Sequence, residues 1–90
     1  MKISELLCDE SKWCKGFMAL DSNGNPVPSR RATAVKWCLL GAVIRCGIKG
    51  DDFIKLEKVI KKLYYLSSIP IFNDQFEFKD VQRVLKEANL

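Results

Sequence analysis

Residues 34–48, AVKWCLLGAVIRCGI, form a long apolar run broken only by Lys36 and Arg45 and free of Pro. Small and bulky side chains alternate within it. Trp37, Cys38, Gly41 and Ala42 fall on consecutive turns of a 3.6-residue period, which predicts a helix enclosed on most sides. With Ser29 as N-cap and Gly47 and Gly50 as the stop, that helix is expected over 30–47, at the centre of the fold. Downstream, Asp51 or Asp52 opens a second helix running to about Leu66. Phe53, Leu56, Val59 or Ile60, and Leu63 make its buried face, and Lys55, Lys58, Lys61 and Lys62 lie opposite. A last helix over about 77–89 places Val81, Val84, Leu85 and Ala88 on one face.

The remaining pattern is weaker. Ser4 can cap a short helix over 4–12, ended by Gly16. Between Phe17 and Pro28, two short apolar arms flank Asp21-Ser22-Asn23-Gly24-Asn25-Pro26, and Asn-Gly tolerates the positive φ of a tight hairpin. Pro26 and Pro28 confine the second arm to an edge, so a small β-hairpin or ordered loop is expected at 17–28. Pro70 stops the second helix from continuing, and Asn73-Asp74 falls in the turn before the last one. The fold class is therefore mainly α: about four helices around the central one, in a single domain of 90 residues.

Charge changes this picture. The net charge is +4, yet residues 30–62 alone carry +6 and the remainder −2. A basic middle between mildly acidic ends suits an acidic protein, a nucleic acid or a nucleotide as partner. No charge-free apolar stretch reaches the ~18 residues of a membrane helix, so no membrane partner is expected. The N-terminal MKISELLCDESKWC lacks the apolar block of a signal peptide, and a cytoplasmic location follows. In that compartment the four cysteines, Cys8, Cys14, Cys38 and Cys46, are expected as reduced thiols, because none stands in a C-x-x-C clamp.

Candidate chemistry is sparse. The chain has no His, which removes the commonest general base and metal ligand. Neither a metal nor a cofactor is expected. Asp21-x-Asn23-x-Asn25 begins like a calcium loop, but Pro26 replaces the sharp-turn Gly and Ala32 the closing Glu, which leaves a turn. Cys38 could act as a nucleophile only beside a carboxylate or Lys base, and Asp74 is the candidate. Lys55, Lys58 and Lys62 recur at spacings of three and four, so they project together as either a solvated face or a docking surface. Asn73-Asp74 either closes a local Asx turn or points inward onto the first segment or a ligand.

Taken in order, Trp13-Cys14-Lys15-Gly16, Asp21-x-x-Gly24-x-Pro26-Val27, Ala34-x-x-Trp37-Cys38-x-x-Gly41-Ala42 and Asn73-Asp74 resemble a family of small bacterial and phage proteins known only as a domain of unknown function. The resemblance spans about residues 13–88, with Phe72 where the family often has Trp. It implies a phage or prophage origin, hence a host-cytoplasmic location, and marks Trp13, Asp21, Trp37, Cys38, Asn73 and Asp74. Their expected role is architectural: the two tryptophans pack the loop onto the central helix, while the polar residues satisfy backbone donors. Three functions compete. The favoured one is a non-enzymatic accessory protein that binds and modulates a host or defence protein. The others are a nucleic-acid or nucleotide binder using 30–62, and a small Cys/Asp hydrolase. Binding residues are expected among Lys55, Lys58, Lys62, Asn73 and Asp74.

Overall fold

Five α-helices and one two-stranded antiparallel sheet make up the computed structural model, which describes residues 1–90. In chain order they are α1 (Ile3–Leu6), a single 3-10 turn (Glu10–Lys12), β1 (Ala19–Asp21), β2 (Ala34–Trp37), α2 (Leu39–Cys46), α3 (Asp51–Tyr64), α4 (Ile69–Gln75) and α5 (Phe78–Ala88). The mainly-α class with a small hairpin sheet is what the pattern predicts. No helix is long and apolar enough to cross a membrane.

The central helix is shorter than its hydrophobic run. Residues 34–37 are extended and pair with β1, and α2 starts only at Leu39 with Cys38 as its N-cap in place of Ser29. Pairing steps from Leu20↔Lys36 to Asp21↔Ala34, so Val35 is the extra residue of a bulge. The bulge breaks the two-residue alternation and turns both Ala34 and Trp37 inward, leaving Val35 and Lys36 exposed. Ala34, Trp37, Cys38 and Gly41 are thus all buried at spacings that imitate a helical stripe. Pro28 and β-branched Thr33 and Val35 are the local features that favour extended chain.

The 17–28 segment closes as expected and then does more. Asp21 Oδ1 accepts from the amides of Asn23 and Asn25, and Gly24 takes φ +81°. Val27 N–H donates to the Ala19 carbonyl at 3.1 Å, while the other edge of β1 pairs with β2. The carboxylate that a calcium loop would offer to an ion is holding the turn.

The predicted helix over 4–12 divides into α1 and the 3-10 turn, between which Asp9 Oδ1 accepts from Ser11 N–H. Asn73 and Asp74 lie in a helix, not a turn. Pro70 sits at the start of α4, where its missing N–H costs nothing, and Ser68 Oγ caps the helix by accepting from Ile71 N–H. The core gathers one face from every helix, with Ile3, Leu39, Leu56, Ile60, Phe72, Val81 and Val84 nearly or fully inaccessible. Tyr64 and Phe76 pack against it beside Phe72, the three rings clustering at centroid distances of 4.7–5.4 Å.

Candidate functional site

Asn73 has no solvent exposure and uses its whole amide. Its Oδ1 accepts from Trp13 Nε1 at 2.6 Å and from Leu39 N–H at 2.9 Å. Its Nδ2 donates to the Cys14 carbonyl and to Asp74 Oδ1, both at 3.1 Å. The neighbouring carboxylate then accepts from Gly16 N–H at 3.0 Å. Two residues on α4 therefore fasten the 13–16 segment to the first turn of α2. Leu39 N–H is one of the donors that a helix start leaves unpaired, and a side chain 34 positions away satisfies it. Of the two readings of Asn73-Asp74, the inward one is realised, and its partner is the first segment.

Cys38 lies at the edge of this centre. Its Sγ accepts from Gly41 N–H at 3.3 Å, so the thiol is a helix cap. Burial raises its pKa, outweighing the backbone hydrogen bonds from Gly41 and Leu40 that would lower it. Cys14, also buried, is pushed up to about 11, first by desolvation and then by proximity to Cys38. Both thiols are protonated at neutral pH, and a thiol is a far weaker nucleophile than a thiolate. Beside Cys38 is a small cavity of about 120 Å³, bordered by Gly16, Phe17, Met18, Pro70 and Asp74. Asp74 reaches it with one oxygen already engaged by Gly16 and Asn73. Gly41 lets α2 approach the backbone of Met18: a Cβ there would lie 1.8 Å from the Met18 carbonyl oxygen. No three Cys, Asp or Glu side chains converge as a metal requires.

Trp37 is buried as expected, though from a strand. Its Nε1 donates to the Ser29 carbonyl at 2.9 Å, and the Arg45 guanidinium lies 5.2 Å from its ring centroid. Arg45 also donates to the carbonyls of Ser29 and Arg31, pinning the 29–31 turn to α2. Sequence reasoning gave Arg45 no role. The signal available was its position as the one charge between Trp37 and Ile48.

Lys55, Lys58 and Lys62 stand apart from this centre, exposed along α3. Lys55 is 3.9 Å from Asp52, a loose surface pair. Lys58, Lys61 and Lys62 have no carboxylate within 4.0 Å; the only other ion pair joins Lys15 to Glu77. Ile54, 47% exposed, lies one turn before Lys58, and Tyr65, 88% exposed, follows Lys61 and Lys62 at the helix end. Tyr65 holds φ +60°, a left-handed conformation that Gly adopts freely and a tyrosine rarely does. The marked residues thus separate into a centre of buried Trp13, Cys38 and Asn73 with exposed Asp74 at its edge, the Trp37 anchor, the Asp21 turn and a solvent-facing lysine surface. No family model, curated protein or solved structure matches the chain.

Proposed function

We propose that this is a non-enzymatic binding protein, a phage-type accessory protein acting in the host cytoplasm, that docks on an acidic protein surface through the exposed face of α3. The carrying observation is the row Lys58, Lys61 and Lys62, free of carboxylate partners and framed by exposed Ile54 and Tyr65. Unpaired cations around exposed aromatic and aliphatic side chains offer steering and a desolvated anchor together. The resemblance of the ordered motifs to those of small bacterial and phage proteins favours the same reading. The competing hydrolase is disfavoured by a Cys38 thiol that is protonated, buried and committed to capping α2.

Nucleic acid is the second reading, favoured by Tyr65: an exposed ring beside lysines can stack a base while they meet phosphates. The experiment compares wild type with Lys55→Glu/Lys58→Glu/Lys62→Glu in two assays, capture from nuclease-treated bacterial lysate and anisotropy with random single-stranded DNA and RNA. A specific protein retained by wild type and lost by the folded triple variant supports the proposal. Steeply salt-dependent oligonucleotide binding, lost in the same variant, transfers the face to nucleic acid. Equal capture by both proteins rejects it.

A further inference from the structure

Helix α2 is apolar around nearly its whole circumference, but the fold covers only part of it. Leu39, Gly41, Ala42 and Val43 face the core. Ile44 faces outward, and with half-buried Leu40, Ile48 and Phe53 it lines a groove of about 380 Å³. Ile44 is 39% exposed there. A helix apolar on both sides is normally covered on both sides, and in this molecule the outer side is open. The groove's only charged lining residues are basic, Arg30 and Lys49, and neither makes an ion pair. Arg30 leans across Gly47, its Nη2 3.8 Å from where a Cβ would stand.

We infer that this groove seats a bulky apolar side chain of an acidic segment of a partner protein, with Arg30 and Lys49 meeting the flanking carboxylates. The inference rests on the binding-protein reading and adds a second contact surface to it. Apolar floor and basic rim set the partner's chemistry: Leu, Ile or Phe as the anchor, Asp or Glu on either side. A pocket that buries one anchor while its rim fixes charge is the usual form of an energetically dominant contact. The volume falls in the range of pre-formed ligand sites. The acidic N-terminal stretch of a second copy does not supply such a segment: it holds Glu5 and Asp9, but the apolar Ile3 and Leu7 beside them are committed to its own core.

The probe is a randomised peptide library selected on the intact protein, with the selected peptides then titrated into isotope-labelled protein by NMR. Selection should enrich peptides carrying Leu, Ile or Phe next to Asp or Glu, and the shifted amides should cluster at Leu40, Ile44, Ile48 and Phe53. Ile44→Glu and the pair Arg30→Glu/Lys49→Glu should each weaken binding by about tenfold or more, as expected for an anchor and its charge rim. Ile44→Ala, a milder truncation at an exposed position, repeats the test should Ile44→Glu fail to fold. Lys55→Glu/Lys58→Glu/Lys62→Glu should leave peptide affinity within about twofold, because those lysines do not line the groove. The inference is overturned by enrichment of basic or uncharged peptides, by no enrichment, or by shifts that map to the Lys55, Lys58 and Lys62 face of α3 and leave Leu40, Ile44 and Ile48 unmoved. Sedimentation showing a dimer that Ile44→Glu dissolves would also overturn it, assigning the groove to a second copy. Lysate capture that survives the groove substitutions but not the triple lysine variant removes the groove alone and leaves the α3 proposal standing.

Discussion

Asn73 and Lys58 are both polar residues on helices, and their surroundings are opposite. Asn73 is sealed from water with four hydrogen bonds to Trp13, Leu39, Cys14 and Asp74. Lys58 is exposed and meets no carboxylate within 4.0 Å. The contrast separates polarity that specifies the fold from polarity the fold leaves unused. Every buried side-chain nitrogen and oxygen has a partner, so the interior holds no polar group waiting for a ligand. Unsatisfied charge is confined to the surface, notably the α3 face and the rim of the α2 groove. The centre should therefore respond to substitution in stability and the face in binding.

The largest effect is expected at the centre. Asn73→Leu keeps roughly the same volume and strands the Trp13 indole N–H, the Leu39 amide and the Cys14 carbonyl. Each buried group left unpaired costs about 1–3 kcal/mol, so a total of about 5 kcal/mol should appear as a lower urea midpoint. A loss under about 1 kcal/mol would mean that water reaches the site and the centre is not sealed. Trp37→Ala follows closely. Removing a large buried aromatic costs about 3–5 kcal/mol, and here it also removes one of the two donors to the Ser29 carbonyl and the ring beneath the Arg45 guanidinium.

The mimicry between strand and helix explains how much of the fold is legible in the chain. α3 and α5 are legible because each is a single amphipathic element whose period agrees with its packing. Leu56, Val59 and Ile60, and Val81, Val84, Leu85 and Ala88, are buried as spaced. The strand at 34–37 is not, since a bulged strand followed by a helix cap repeats the i, i+3, i+4, i+7 pattern of one long helix. Pro70 reads as a breaker from sequence, yet it initiates α4. The Asn73 centre is invisible locally. Its hydrogen bonds span 34 to 60 residues, and nothing beside Asn73 in the chain announces which distant amides it will meet. The residue types of Asn73-Asp74 leave a local Asx turn and an inward bond to the first segment equally open. The lysine face is legible as a pattern, although whether the fold pairs those charges can be read only from the structure.

A smaller effect concerns pH. Cys14 titrates near 11 in the folded chain against an ordinary 9.0, because burial opposes its thiolate. A folded-state pKa above the unfolded value gives stability that is fully present below pH 9 and is lost as pH rises through about 11. Each tenfold change in acidity is worth about 1.4 kcal/mol, and screening by nearby solvent trims the sum, so the loss is about 2 kcal/mol. Cys38, Cys46 and Tyr64 are raised in the same direction and steepen the decline. Unfolding midpoints measured from neutral pH to pH 11 should fall faster for wild type than for Cys14→Ala. Parallel curves would place Cys14 in contact with water. The smallest stability change belongs to Lys55→Glu/Lys58→Glu/Lys62→Glu, expected within about 0.5 kcal/mol per position. A collapse of that variant would mean that the lysines hold the fold together and are not free for a partner.

Hydrogen exchange of the two indole N–H groups tests most directly whether the marked residues are committed to the fold. Trp13 Nε1 is bonded to fully buried Asn73 and Trp37 Nε1 to the carbonyl of Ser29, itself a buried residue. Both resonances, assigned with Trp13→Phe and Trp37→Phe, should exchange as slowly as the core amides of α5, in step with global unfolding. Exchange of the Trp13 indole at the rate of a free side chain, in a protein whose α5 amides stay protected, would contradict a sealed, structural centre and make Asn73 open to a ligand.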